Sequence, residues 1–361
     1  MDAATRSRIR RASAEARRRI KELDAEARRQ LRQIYLQARK DIERRIAEHA
    51  GPDGRVRLES LRRLVDDLNE RIRQLGEQRD SLLGETLRSA ADEGVEPFAG
   101  LAAQARQIAD QALLATIHMV HADGLQLSDR LWRLDQHARE IVANQVEQAI
   151  IRGDSADRAA RDFIARGLDA PEELQRKIGA AQAHRIAEST GRDLMRKGSP
   201  YYNALRVFRT EINRAHGEAY QAAAFDLDDV IGTRFLLSPN HPKPDICDMH
   251  ARVNRYGLGP GVYPPGRNPW PAHPNTLSFV VAVFRDEITP QDRKEKTTRI
   301  EWLKAQSRKR QWQILYSRKK VAALHRGLLR ENQIATPWET LKKRYRRQGI
   351  DTDRLELPDN A

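Results

Sequence analysis

The feature that most constrains this chain is a long, narrow apolar stripe with helical spacing near its N-terminus. Between residues 5 and 49, apolar side chains recur at steps of three and four, at Ile20, Leu23, Ala27, Leu31, Ile34, Ala38, Ile42 and Ile46. Charged residues surround the stripe, so this helix can bury only a seam against another helix. A second stripe follows the turn-forming segment 51–54, at Leu58, Leu61, Val65, Leu68, Ile72, Leu75, Leu82 and Leu83. The two stripes predict a long helical hairpin or coiled-coil arm over residues 1–97, with self-association through these helices as the alternative pairing.

Helical periodicity continues through the middle of the chain. It predicts helices at residues 98–121, from Ser128 to Gly153, at 156–165, at 171–196 and at 201–225. We therefore expect a helical domain over residues 98–200. The helix at 201–225 opens the next predicted unit.

The pattern then changes to strand-like runs at 230–237 and 278–284, which bracket a loop rich in Pro, Gly and His at 238–275. A structureless loop of that length is uncommon and usually functional, so something must hold it. After residue 289 the chain is again helical, with start signals at Thr289-Pro290 and Thr336-Pro337, the latter with Glu339 placed for a capping box. The expected fold is mainly α with a small α+β unit at 201–290, two-stranded around the loop, and a basic helical tail at 291–361.

The net charge of +14 is unevenly distributed along the chain. Residues 1–50 carry +7 and residues 291–350 carry +13, whereas residues 51–290 carry −3. Clustered positive charge favours a polyanionic partner, double-stranded DNA first among them, although a solvated helix surface explains the N-terminal share equally well. Candidate DNA-contacting residues are Arg308, Lys309, Arg310, Arg318, Lys319, Lys320, Lys342, Lys343, Arg344, Arg346 and Arg347. Aromatic residues lie between them, and we expect the tryptophans to belong to the helix core rather than to a base-stacking surface.

Other classes of protein are disfavoured. The single cysteine, Cys247, excludes an intramolecular disulfide framework. No apolar run approaches the roughly 18 residues of a membrane span, so no membrane partner is expected. The first residues lack the apolar core of a signal peptide, so nothing in them indicates export.

The loop concentrates side chains that bind zinc. Asp245, Cys247 and His250 form a D-x-C-x-x-H cluster, and His241 and His273 lie on either side of it. A metal clip would stabilise a small unit with little core. The spacing matches no common zinc finger, however. The alternative is that the polar side chains satisfy loop backbone groups and that Cys247 packs as a small apolar residue.

The motifs follow a definite order along the chain: Arg209-Thr210-Glu211 on a helix, the strand 230–237, the Asp245–His250 cluster, a Gly/Pro loop, and then His273-Pro274 before the last strand. This order resembles that of phage head morphogenesis proteins, the Mu F-like minor head proteins. The helix around Trp132 and the turn at 153–155 also resemble the upstream helical region of that family, so the likeness covers roughly residues 125–290. Thr276 and Ser278 stand where the family often has cysteines, and hydroxyls are poor zinc ligands. The remaining candidate ligands are His241, Cys247, His250 and His273.

The resemblance implies a minor head protein of a tailed phage or prophage, located in the virion near the portal or the capsid interior and in the host cytoplasm during assembly. It implies binding to portal or major capsid protein and help in DNA packaging or delivery, without catalysis. Arg209 cannot pair with Glu211, because the two point about 200° apart on a helix, so we interpret them as members of ion pairs that brace the unit.

Two other functions remain open from the sequence. His241, Asp245, His250, His273 and Asn275 have the residue types of a metal-dependent HNH-like nuclease, although no paired ββα arrangement accompanies them. A generic coiled-coil DNA-binding protein would explain the two basic ends but not the unit at 230–284.

Overall fold

The computed structural model describes residues 1–49, 58–102, 104–120, 124–144, 188–241, 243–274 and 276–356. Several predicted features lie outside these residues: the turns at 51–54 and 153–155, the helix at 156–165, most of the helix at 171–196, and Asn275. The chain divides into two compact units. The sheet unit comprises Met1–Arg18, Ala91–Ala112 and Asn213–Ala361, and the helical unit comprises Arg19–Ala90 and Leu113–Ile212.

The fold is mainly α with a small α+β unit, as the sequence predicts. The longer helices are α1 (Ala3–Glu48), α2 (Leu58–Val95), α3 (Ala105–His118), α4 (127–144), α5 (188–195) and α6 (Pro200–Phe225). The strands are β1 (Val230–Leu236), β2 (Val262–Tyr263) and β3 (Phe279–Phe284). The shorter helices are α7 (Ile246–Arg252), α8 (Pro290–Lys294), α9 (Arg299–Lys304), α10 (Arg308–Leu315), α11 (Arg318–His325) and α12 (Trp338–Arg347). None of the described helices combines the length and the apolar character that crossing a bilayer requires.

In the helical unit, the two predicted stripes face each other. Ile42 and Ile46 of α1 form one buried cluster with Leu64, Leu68 and Ile72 of α2. Because later residues of α1 meet earlier residues of α2, the two helices run antiparallel within the chain. The cluster is completed by other helices, at Ala138, Val142 and Leu194. The first arm therefore pairs with the second arm, and further helices of the same unit cover the seam.

The predicted start of the helix at 98–121 is wrong. Helix α2 continues to Val95, a short 3-10 turn occupies Glu96–Phe98, and α3 begins only at Ala105. Pro97 explains the end of α2, because proline cannot donate an i to i−4 hydrogen bond inside a helix. Gly100, whose φ is 75°, interrupts the helical backbone before α3. Phe98 is fully buried against Tyr220, with ring centroids 5.0 Å apart.

The sheet unit is built around three antiparallel strands in the order β2-β1-β3. Strands β1 and β3 are the two predicted ones, and β2 is a third, two-residue strand inside the loop, so the expectation of a two-stranded unit was wrong. Strand β2 pairs through Thr233 with Tyr263 and through Arg234 with Val262. Helix α6 packs alongside, where the Tyr220 hydroxyl accepts the Ala282 N–H at 3.1 Å.

Side-chain hydrogen bonds hold the long loop against the sheet. The Asn268 amide donates to the Thr233 carbonyl at 3.2 Å, and the buried Trp270 indole donates to the Ser278 carbonyl at 2.9 Å. Asn254 accepts the Gly259 N–H at 3.1 Å and donates to Asp292 O at 2.6 Å. These bonds satisfy backbone groups that a buried loop would otherwise leave unpaired.

The basic C-terminal segment packs on the same unit through a core of its own. Met249 of α7 is buried in a cluster with side chains from the helices after residue 298, among them Leu303, Ile314, Leu324 and Leu341. The start signal at Thr289-Pro290 is confirmed, since Thr289 caps α8 by accepting the Asp292 N–H. The capping box predicted at Thr336 is wrong, because Pro337 is the N-cap of α12 and no side chain caps it.

Candidate functional site

The first turn of α7 brings two carboxylates and the thiol close together. Asp245 is the N-cap, and its Oδ1 accepts the Cys247 N–H at 2.7 Å. Asp248 completes a capping box, because its Oδ2 accepts the Asp245 N–H at 3.0 Å. All three residues are buried. The cap therefore holds these side chains in defined positions at the N-terminus of α7.

Two histidines from distant parts of the loop meet Asp245. His273 Nε2 lies 3.2 Å from Asp245 Oδ2, and His241 Nε2 lies 3.6 Å from Asp245 Oδ1. The residues form two groups whose ligand atoms lie within 4.8 Å of one another: Asp245, Cys247 and His273, and His241, Asp245 and Asp248. Asp245 belongs to both groups. The structure thus brings together three of the four predicted ligands around a carboxylate.

His250, the fourth predicted ligand, does not join either group. Its side chain is buried 5.8 Å from the Phe235 ring, centroid to centroid, and its carbonyl accepts the Tyr263 hydroxyl at 3.0 Å. Burial, with help from nearby arginines, lowers the pKa of His250 to about 3, so the ring is neutral in the core. His250 therefore lies outside both groups, and Asp245, which is not in the predicted set of four, belongs to both.

The orientation of His273 suits a metal ligand. Its Nδ1 lies 2.9 Å from the Pro274 carbonyl, which can only accept, so Nδ1 carries the proton of that hydrogen bond. Its buried Nε2 faces Asp245 Oδ2 at 3.2 Å. Metal-binding histidines commonly donate one ring N–H to a backbone carbonyl and present the other nitrogen to the ion. The Pro274 carbonyl therefore fixes the orientation of the His273 ring.

The cluster strongly perturbs the protonation of its members. Asp245 and Cys247 raise the pKa of His273 to about 10, against the opposing effect of burial. Burial alone would favour the neutral carboxyl of Asp245, but His273 and the Cys247 N–H hold its pKa below the usual value. The thiol has one further neighbour, since Cys247 Sγ lies 3.7 Å from Thr276 Oγ1. Thr276 thus occupies the position next to the thiol without adding a good metal ligand.

Sequence reasoning missed Asp248 as the central residue of this region. Its Oδ2 lies 2.9 Å from His241 Nε2, and its Oδ1 accepts from Arg252 and, at 3.2 Å, from Arg310 of α10. The spacing Asp245-x-x-Asp248 was the available signal, because it is that of a capping box. The contact with Arg310 carries no local signal, since the two residues are far apart in the sequence. Asp248 therefore ties α7 to the C-terminal helices.

The Arg209-Thr210-Glu211 motif lies on α6 in the helical unit, whereas the loop cluster lies in the sheet unit. Arg209 Nη2 lies 3.5 Å from Asp24 Oδ2 of α1, and the Thr210 hydroxyl donates to the Arg206 carbonyl at 2.7 Å. Glu211 is buried. The contact with Asp24 agrees with the interpretation of Arg209 as an ion-pair residue.

The predicted DNA-contacting residues differ widely in their surroundings. Lys320 is buried, and its Nζ donates to the Ile334 carbonyl, so it is not available to a phosphate. Burial also lowers the pKa of Lys320 to about 8. Lys319, Lys342 and Arg346 contact Asp353. The exposed members are Lys309, Arg318, Lys343, Arg344, Arg346 and Arg347.

The aromatic residues among them do not share one environment. Trp302 and Trp338 pack against the C-terminal core, and Tyr345 is buried within it, as expected. Trp312 and Tyr316 are 49% and 62% exposed. The expectation that the tryptophans are core residues is therefore wrong for Trp312.

Comparison with protein-family models, with curated proteins and with solved structures finds no match for this chain.

Proposed function

We propose that this chain is a minor head protein of a tailed phage or prophage. It would bind the portal or the major capsid protein during head assembly, contact packaged double-stranded DNA, and remain in the virion. The observation that carries this proposal is that three separate motif segments meet at Asp245, whose carboxylate lies near His241 on one oxygen and near His273 on the other, with Cys247 beside His273. A function by binding rather than by chemistry agrees with a cluster whose residues tie a loop together.

The helical unit offers apolar side chains for protein contact. Leu114 of α3 is 55% exposed, and Val120 and Trp132 are 60% and 62% exposed. Single exposed apolar residues are ordinary on a protein surface, but exposed tryptophans are enriched among residues that dominate binding energy at interfaces. Trp132 is thus the natural position at which to test capture of a head protein.

The test is affinity capture of co-expressed portal and major capsid proteins by the tagged full-length chain. We expect stable capture of the portal at moderate salt, and Trp132→Ser should weaken it by about tenfold. Lys296→Gln, at an exposed position of the sheet unit, is the control and should leave capture unchanged. Capture of neither protein would contradict the proposal and would favour the generic DNA-binding alternative.

We also propose that the loop cluster binds one zinc ion through His241, Asp245, Cys247 and His273. One thiolate, two imidazoles and a carboxylate form a donor set that zinc accepts. The contact of His273 Nδ1 with the Pro274 carbonyl supports this assignment, because it leaves Nε2 facing Asp245. The ion would act as a structural clip that joins the two ends of the loop, and a reaction is not part of the proposal.

Zinc content should distinguish the ligand set inferred here from the set suggested by the sequence. Elemental analysis of protein expressed with added zinc should find about one zinc per chain. Cys247→Ser and His273→Ala should each lower zinc affinity by more than about 100-fold, because even the loss of an outer-shell partner costs 10–100-fold.

The matched control is His250→Phe, which replaces one aromatic ring with another among Phe235 and Tyr263. This variant should keep its zinc. Loss of zinc from His250→Phe but not from an Asp245→Asn variant would restore the sequence-based set. The proposal would be overturned if the purified protein contained no zinc and its melting temperature stayed constant when zinc was added.

A further inference from the structure

A polar cleft of 570 Å³ opens beside the capped end of α7, between α10 and the residues 237–241 and 243–244. Four cationic side chains line it: Lys243, Arg252, Lys309 and Arg310. Asp248 is the one carboxylate in the lining, so the cleft carries a net positive charge even with His241 neutral. Cationic clefts concentrate anionic ligands near them.

Two of the four cations are held by Asp248, and the other two are exposed. Asp248 fixes Arg252 and Arg310 by ion pairs, which keeps their guanidinium groups at the wall of the cleft. Lys243 and Lys309 are exposed and lie on opposite walls, one on the loop and one on α10. Fixed arginines beside exposed lysines suit a ligand with several phosphate groups along a flexible backbone.

The exposed aromatic residues lie on, or directly after, the helix that forms one wall of the cleft. On α10, Trp312 and Gln313 lie three and four residues after Lys309, so these three side chains share one face, and Tyr316 follows as the C-cap of the helix. Trp312 and Tyr316 are half exposed or more, and the Arg318 guanidinium lies 5.9 Å from the Trp312 ring centroid. Large aromatic surfaces beside clustered cations are typical of sites where bases stack while basic groups bind the backbone.

We propose that the cleft and this face of α10 bind single-stranded nucleic acid. Lys243 and Lys309 would bind successive phosphates, and the rings of Trp312 and Tyr316 would stack on unpaired bases. A single strand fits better than a duplex, because paired bases are already stacked and offer no free faces to these rings. The inference goes beyond the proposed function, which concerns head proteins and packaged double-stranded DNA.

The test measures binding of the full-length chain to a fluorescein-labelled oligothymidylate by fluorescence anisotropy at several salt concentrations. We expect affinity to fall with salt, with a log–log slope of about −0.7 for each phosphate bound. The double variant Lys243→Gln/Lys309→Gln should reduce that slope by about 1.4 and lower affinity about tenfold. Trp312→Ala should lower affinity about tenfold with the slope unchanged.

The controls are Lys296→Gln and Trp132→Ala, which remove an exposed lysine and an exposed tryptophan elsewhere and should leave binding unchanged. Tyr316 has a left-handed backbone with φ of 55°, so Tyr316→Asn is the variant that keeps this conformation accessible. It should weaken binding as Trp312→Ala does. Circular dichroism and thermal melting establish that each variant is folded.

Three results would overturn the inference. These are equal or tighter binding of a duplex of the same length, unchanged binding by both aromatic variants, and displacement of the strand by inorganic phosphate at matched ionic strength. Portal capture by the Lys243→Gln/Lys309→Gln chain is a separate measurement. Failure of strand binding therefore leaves the proposed head function standing, and failure of capture leaves strand binding standing.

Discussion

Replacing Gly217 with valine should destabilise the sheet unit by about 3 kcal/mol or more. Gly217 lies in α6 directly against the Trp270 indole. A Cβ at this position would lie 2.7 Å from Cε3 of that ring and would overlap Cζ3 and Cη2. Trp270 is 5% exposed and its indole donates to the Ser278 carbonyl, so the ring cannot move aside without losing that bond and its burial. Urea denaturation followed by circular dichroism measures the change.

The matched control is Gly84→Ala in α2. A Cβ at Gly84 meets nothing within 4 Å, and alanine is favoured over glycine inside a helix by about 0.5–1 kcal/mol. This variant should be slightly more stable than the parent, whereas Gly217→Ala should be less stable. Equal effects at the two glycines would contradict the close packing of Trp270 on α6.

Replacing Asp248 with alanine should lower the free energy of unfolding by about 2–4 kcal/mol. The carboxylate is 3% exposed and is contacted by His241, Arg252 and Arg310, as well as by the Asp245 N–H. Breaking a buried ion pair typically costs about 3–5 kcal/mol. Arg252 and Arg310 reach solvent once released, which reduces that cost. Chemical denaturation measures the change, and limited proteolysis should show faster cleavage in the C-terminal segment.

The comparison variant is Asp353→Ala. The Asp353 carboxylate also contacts two cations, Lys342 and Arg346, but this side chain is 69% exposed. Exposed ion pairs contribute little to stability, so this variant should unfold like the parent. If Asp248→Ala were as stable as Asp353→Ala, Asp248 would not be the residue that ties α7 to α10.

The long helices and the two longer strands were predictable from periodicity alone. The stripe ending at Ile42 and Ile46 is buried as predicted, and β1 and β3 lie within one or two residues of their expected positions. These elements are long enough for the spacing of apolar residues to identify the buried face. Strand β2 has two residues and no such pattern, so only its pairing with β1 defines it.

The residue types of the candidate site were predictable, but which of these residues come together was not. Cys247 and His250 are three residues apart on a helix, which made both plausible ligands. In the fold, Phe235 and Tyr263 enclose His250, and Asp245 takes its place because the helix cap turns that carboxylate toward His241 and His273. Spacing along a chain cannot reveal which face of a short helix meets the core.

The sequence by itself determined the helical hairpin, the position of the long loop and the concentration of positive charge after residue 290. Each depends on local composition or on short-range periodicity, which are properties of neighbouring residues. Tertiary structure alone decided which polar side chains meet Asp245, that Lys320 is buried, and that Asp248 pairs with Arg310. These contacts join residues far apart in the chain, so they exist only when packing of the core brings their elements together.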